Sequence, residues 1–262
     1  MAFDNIELKL DGMVAELMLD RPDQMNPLDW ATVKELAAAF GQLEADATAR
    51  VVLISGRGKA FSAGGDLKAY MELYRKPNEF RAFLDDFRRL NSAIESSSMV
   101  IIAAVNGFCV AGGLELMLAC DLALAAVEAR IGDGHLNFGQ LPGAGGSQRL
   151  PRAIGPARAR DLIYSGRLVD GAEAERIGLV ARSVPDAELM QAARELADGL
   201  LQKSPLGLAE AKALLAGSRE MDFSAAIQAE SELVHRYATT SHDAMEGLAA
   251  FAEKRKPEFT GN

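Results

Sequence analysis

Cysteine is scarce in this chain: there are two in 262 residues. Cys109 and Cys120 both lie in apolar surroundings. They cannot make a disulfide framework and read as buried thiols from a reducing compartment. Basic charge is also scarce. Lysine and arginine total 28 against 37 aspartates and glutamates, a net charge of −9. No basic stripe is available for nucleic acid, so no nucleic-acid partner is expected. The densest basic cluster, Lys254-Arg255-Lys256, suits a helix C-terminus or a local phosphate contact. Long apolar runs are missing too. The longest, Val100 to Val105, fits a buried strand and not a membrane span. Met1 to Leu10 has no basic stretch followed by an apolar one, and Asp4 and Glu7 argue against a transit segment. A cytoplasmic protein without a membrane partner is expected. No His, Cys, Asp or Glu cluster has metal-ligand spacing, so no metal is expected. The loop at 142–146 matches neither G-x-G-x-x-G nor a P-loop. No repeat or low-complexity segment occurs.

What is present suits a soluble α/β domain: 49% apolar residues, 25% charged. Ile6–Leu10 and Val14–Leu19 read as strands joined by the hairpin turn Asp11-Gly12. Asp29 can cap a helix to about Leu43, with Val33, Leu36, Phe40 and Leu43 on one face. Val51–Ile54 is a buried strand, and Asp66 opens a helix. Pro77 to Glu95 is an amphipathic helix whose Phe80, Phe83, Leu84, Phe87, Leu90 and Ile94 read as core. Val100–Val105 and Asp121–Ala126 are further strands, with a helix from Gly112 through Cys120 between them. Beyond Gly155 helices dominate, with one strand near Leu179–Ala181. Ser204-Pro205, Met221-Asp222 and Ser241-His242-Asp243 look like helix starts. A composition shift near residue 200 separates a core, 1–200, from a helical region, 201–262. Strands alternating with helices imply a partly parallel sheet.

Two segments place glycines between a buried strand and a helix: Phe61-Ser62-Ala63-Gly64-Gly65-Asp66 and Val110-Ala111-Gly112-Gly113-Leu114-Glu115. Glycine lets a backbone N–H approach a ligand closely, and a helix N-terminus adds unpaired donors. Two such turns from neighbouring strands can aim two N–H groups at one oxygen, the geometry of an oxyanion hole. Tight turning alone is the plainer explanation of either turn taken singly. A serine nucleophile at Ser62 is a rival, but Ala60-Phe61-Ser62-Ala63-Gly64 has alanine where G-x-S-x-G needs glycine.

The stretch Gly56 to Leu67 resembles a signature of the enoyl-CoA hydratase/isomerase (crotonase) family. So do Ala103 to Phe108 continuing through Ala111 to Asp121, Leu141 to Leu150, and Phe251 to Lys256. The resemblance runs through nearly the whole chain in order. It implies a crotonase-like, ClpP-like spiral of β-β-α units with a C-terminal helical region that assembles trimers, often paired as hexamers. It implies an acyl-CoA thioester substrate and no separate cofactor. It carries the oxyanion donors onto Ala63 and Gly112, and the adenine pocket onto Ala63, Gly64, Gly65, Asp66 and Leu67. Lys254 from a neighbouring subunit is implied at the CoA phosphates.

The resemblance also points to Glu115 as one of the family's two catalytic glutamates. The second position holds His135, in Ile131-Gly132-Asp133-Gly134-His135-Leu136-Asn137. Histidine can act as acid or base near neutral pH, and Asp133 can orient it or merely cap a turn. Three outcomes stay open. Glu115 and His135 can run a modified hydratase or isomerase. They can run hydrolysis or carbon–carbon cleavage. Or His135 is passive and Glu115 shuttles a proton alone. A non-catalytic acyl-CoA-binding scaffold is the rival of another class. His235 and His242 read as surface or interface residues.

Overall fold

The computed structural model describes residues 3–218 and 221–262. Strand β1 (Ile6–Asp11) turns at Gly12 into β2 (Val14–Leu19), pairing antiparallel with Ile6 opposite Leu19. On β2 the alternate residues Ala15, Leu17 and Leu19 are buried, so one face meets the core. Helix α1 (Trp30–Asp46) begins where the Asp29 carboxylate accepts from Thr32 N–H, and it buries Val33, Leu36, Phe40 and Leu43.

Then the chain winds as a spiral. Strands β3 (Val51–Gly56) and β4 (Ala60–Ser62) lead into α2 (Leu67–Leu73) and α3 (Pro77–Ser96). Strands β5 (Val100–Val105) and β6 (Phe108–Val110) lead into α4 (Gly112–Ala119). Strands β7 (Leu122–Ala126) and β8 (Arg130–Gly132) lead, through a loop, into α5 (Gly146–Ile154), α6 (Pro156–Ser165) and α7 (Gly171–Arg176). Each turn leaves one strand in each of two sheets. The larger has the order β1-β2-β3-β5-β7-β9, where β9 is Arg182–Val184, and the smaller has β4-β6-β8. All pairings but β1–β2 are parallel. Strands β3 and β5 are buried along their whole length, which accounts for their unbroken apolar runs. This is the crotonase-like spiral of β-β-α units. Helix α8 (Leu189–Leu201) packs on β3, β5 and β7. Helices α9 (Pro205–Gly217), α10 (Phe223–Thr240) and α11 (His242–Glu253) follow, capped by Ser204, Asp222 and Ser241.

The strand expected at 179–181 lies instead at Arg182–Val184. Leu179 and Val180 end α7. Leu179 N–H donates to Ala174 O and Gly178 N–H to Glu175 O, with Gly178 at φ +79. That is a Schellman closure, whose apolar residue packs back on the helix it ends. The three-residue strands of the smaller sheet were not distinguishable as strands from residue pattern.

Candidate active site

The first glycine turn follows β4. Ala63 N–H donates to Met25 O at 2.9 Å, and Gly64 N–H donates to Ser62 Oγ at 3.1 Å. Gly64 O accepts from Leu28 N–H at 2.8 Å. The loop at 25–28 therefore braces the turn. That loop is fixed in turn by buried Asn26, whose Nδ2 donates to Arg57 O and Ala60 O. Gly64 has φ +95, and a Cβ there would lie 2.9 Å from Val110 O and 3.3 Å from Gly112 N. The two turns thus touch, and only glycine fits at the contact. Gly65 N–H has no protein partner among the described residues. A Cβ on Gly65 would fall 2.2 Å from the Tyr70 hydroxyl, so that ring rests on the bare backbone.

The second turn holds Ala111 at φ 53 and ψ −118, a sparsely populated region for a residue with a Cβ. Ala111 N–H donates to Gly132 O at 3.2 Å. Helix α4 starts at once, and Gly112 N–H is left without a protein partner among the described residues.

Glu115 lies in the first turn of α4 and is 2% exposed. Its Oε1 accepts from Ala144 N–H at 2.7 Å and Gly146 N–H at 2.8 Å, capping the start of α5. Its Oε2 faces His135 Nε2 at 3.9 Å. One oxygen of the carboxylate is thereby held by the cap, while the other faces the imidazole. Asp133 is fully buried just after β8; its Oδ1 accepts from His135 N–H at 3.3 Å and its Oδ2 lies 3.1 Å from His135 Nδ1. The latter contact is close but poorly aligned for a hydrogen bond.

Burial raises the Glu115 pKa, and the Gly146 N–H, the His135 charge and the Ala144 N–H offset only part of that. Burial pulls His135 the other way. The close contact with the Asp133 carboxylate and its charge, with the charge of Glu115, outweigh it and the net shift is upward. The two shifts together favour a proton held within the pair near neutral pH.

The loop that holds Glu115 is itself pinned. Ala144 O accepts from Asn91 Nδ2 at 3.0 Å and Arg149 Nη1 at 2.8 Å, and Arg149 forks onto Glu95 at 2.8 and 2.6 Å. Residue pattern alone does not mark Asn91 or Asn26, whose partners lie more than thirty residues away. Arg149 and Ala144 share the 141–150 stretch, but nothing in it points to their contact or to the fork on distant Glu95.

Glu115 and His135 share a cavity of about 570 Å³, walled by Tyr70, Tyr74, Phe80 and Phe83 among others. A cavity of about 560 Å³ beside the 142–146 loop is lined by Arg88, Arg149 and Arg152 and by neither Glu115 nor His135. Asp66 caps α2 by accepting from Lys68 N–H and Ala69 N–H, and Leu67 is largely exposed. Lys254 is the C-cap of α11 and does not line the cavity. Ser62 is fully buried and accepts from Gly64 N–H, which is unlike a nucleophile. Cys109 is buried and free, and Cys120, also free, is half-buried. Among the described residues no group of three or more His, Cys, Asp or Glu could hold a metal, and no helix is long and apolar enough to cross a membrane.

Residues 9–262 match the family model described as enoyl-CoA hydratase/isomerase. A Bacillus subtilis protein named "Probable enoyl-CoA hydratase" is 40% identical over 98% of each chain. The crotonyl-CoA hydratase of Syntrophomonas wolfei is 36% identical over 99% of each. The crystal structure of an enoyl-CoA hydratase from Bacillus anthracis superposes with a TM-score of 0.93 at 36% identity, covering 99% of this chain and 100% of that one.

Proposed function

The chain belongs to the enoyl-CoA hydratase/isomerase family and is an acyl-CoA-processing enzyme; from that premise we propose that it hydrates a 2-enoyl-CoA thioester, with Glu115 and His135 as the acid–base pair. The observation that carries this reading is the free Glu115 Oε2 facing His135 Nε2 at 3.9 Å while Oε1 is held by two N–H groups. A water oxygen can sit off the line between them, about 2.8 Å from each. The thioester oxygen lies against Gly112 N–H and Gly65 N–H. Gly65 takes the place expected of Ala63, because Ala63 N–H is spent on Met25 O at 2.9 Å. These fixed donors stabilise the negative charge that develops on oxygen as the enolate forms.

In the forward reaction Glu115, ionised, removes a proton from water as the water oxygen bonds to Cβ. The C=C pair moves to the enolate. His135, protonated, gives its Nε2 proton to Cα, and the thioester carbonyl re-forms. A proton passing from Glu115 to His135 restores the starting pair. Asp133 keeps Nδ1 protonated and Nε2 facing the substrate.

Glu115→Gln keeps the shape and one carbonyl oxygen but loses the base. Turnover of crotonyl-CoA, followed by loss of the enoyl thioester absorbance, is expected to fall roughly 10²–10⁴-fold with little change in ligand affinity. Unchanged turnover would sink the proposal.

Thioester hydrolysis is the second reading, favoured by Asp133 beside His135 Nδ1 at 3.1 Å, an orienter-and-base arrangement. Release of free CoA thiol without loss of the double bond would select it. The helical region 201–262 is proposed to assemble trimers or hexamers, in which Lys254 of a neighbour reaches the CoA phosphates. The exposed Phe223, Leu248 and Phe251 support that assembly.

A further inference from the structure

We propose that the acyl group carried by the thioester is aromatic: an aryl ring set a few atoms beyond the carbonyl. This deepens the acyl-CoA reading and rests on it. The chain has sixteen aromatic residues among 262, as 11 Phe, 4 Tyr and 1 Trp. Five of them, Tyr70 in α2, Tyr74 at its C-cap and Phe80, Phe83 and Phe87 from α3, line the cavity that contains Glu115 and His135. Elsewhere the core is built chiefly from Leu, Ile, Val and Ala. A flexible alkyl tail gains as much from aliphatic walls, since its burial energy scales with area.

The rings form one continuous surface. Tyr70 and Tyr74 stack at 5.9 Å and 16°, and Tyr74 meets Phe80 edge-on at 4.7 Å and 69°. Tyr70–Phe83 and Phe83–Phe87 are tilted, at 57° and 53°. Phe83 and Phe87 are buried, while Tyr70, Tyr74 and Phe80 keep part of a ring face or edge accessible. A guest with its own ring can pair with either, for about 0.5–1.5 kcal/mol per pair beyond its buried area. Leu141, Pro142 and Gly143 line the same cavity, on the loop that also holds Glu115 through Ala144. The Tyr74 hydroxyl donates to Gln140 Oε1, which ties the end of α2 to that loop and satisfies the hydroxyl, so its ring meets a guest as an apolar surface.

Saturated thioesters test this without any chemistry. The affinities of 3-phenylpropanoyl-CoA and nonanoyl-CoA, which have nine acyl carbons each, are compared by calorimetry, with butanoyl-CoA as the reference. The phenylpropanoyl thioester is expected to bind about ten-fold tighter than nonanoyl, the factor expected from one or two ring pairs. Phe80 is only partly buried, so Phe80→Leu is expected to fold, which its thermal midpoint checks. That variant should cut the preference to below about three-fold. Equal or tighter nonanoyl binding, or an unaltered preference in Phe80→Leu, overturns the proposal. Retained hydration in Glu115→Gln would overturn the reaction mechanism and leave the ring preference standing. Failure of all three thioesters to bind would overturn the acyl-CoA site, and this proposal with it.

Discussion

At the scale of single residues, the site is governed by two opposed electrostatic pulls on Glu115 and one winning pull on His135. In the proposed mechanism the working form has Glu115 ionised and His135 protonated. Glu115 must lose its proton at a value above the ordinary 4.5, because burial dominates. His135 must keep its proton, and it does so above the ordinary 6.5, because Asp133 and Glu115 outweigh burial. The profile of kcat/KM is expected to be a bell, with an acid limb above 4.5 and an alkaline limb above 6.5. His135→Gln should lower the maximum and remove the alkaline limb while the acid limb persists. An alkaline limb that survives the substitution would assign it to another group. Linkage has a matching sign. A raised His135 pKa stabilises the fold below 6.5, and that contribution is lost as pH rises through the folded value. That Glu115 and His135 meet in one cavity was legible in the sequence only through the family resemblance, which pointed to both positions. The role expected of Ala63 was not sustained by its surroundings. Its N–H direction is set by Met25, on a loop that sequence alone does not bring near.

Among the elements, α5 and the loop before it decide where Glu115 points. Two N–H groups of that loop hold Oε1, and the loop is pinned from outside through Ala144 O, by Asn91 and by Arg149. Arg149 acts as a positioning residue, since it touches the loop and not the cavity with Glu115. Arg149→Met keeps most of the side-chain volume but removes one of the two donors on Ala144 O and the fork on Glu95. We expect kcat to fall about ten-fold with KM nearly constant, and stability to fall by about 1–3 kcal/mol. Arg149→Lys should recover part of the stability but less of kcat, because lysine cannot fork onto Glu95 while reaching Ala144 O. An unchanged kcat in Arg149→Met would show that Glu115 needs no such brace. Long elements were readable because they bury whole faces: α1, α3 and β5 stand where their apolar spacing put them. The strands β4, β6 and β8 have three residues each, too few to show a period, and only the family resemblance implied a second strand per turn. Leu179 and Val180 were misread because an apolar pair after a helix can open a strand or close the helix. Gly178 in the left-handed region makes it closure.

For the molecule as a whole, the C-terminal helices are tied together by one buried carboxylate. Asp243 accepts from Ser204 Oγ at 2.6 Å, Thr260 N–H at 2.8 Å and Gly261 N–H at 3.0 Å. It thereby joins the start of α9, the start of α11 and the final residues of the chain. Helix α9 is in turn locked to the spiral by Lys212, whose Nζ donates to Ile94 O, Met99 O and Asp121. Burial alone would raise the Asp243 pKa, but the Ser204 hydroxyl and the two backbone N–H groups outweigh it, and the net shift is downward. A lowered carboxylate contributes stability that is present above its unfolded value of 3.8 and is lost as pH falls through the folded value. Asp243→Asn is therefore expected to destabilise the protein by about 2–3 kcal/mol at neutral pH, since it removes charge-assisted bonds and leaves a buried amide badly matched to three donors. The gap between variant and parent should narrow once the medium is acid enough to protonate Asp243 in the folded parent. Amide exchange offers the sharper reading. Protection should drop in α9, α11 and the tail, while β3 and β5, buried on both faces of the larger sheet, keep theirs. Equal loss of protection in those strands would mean that the C-terminal helices and the spiral unfold as one unit, and that Asp243 stabilises the whole chain and not its C-terminal helices alone.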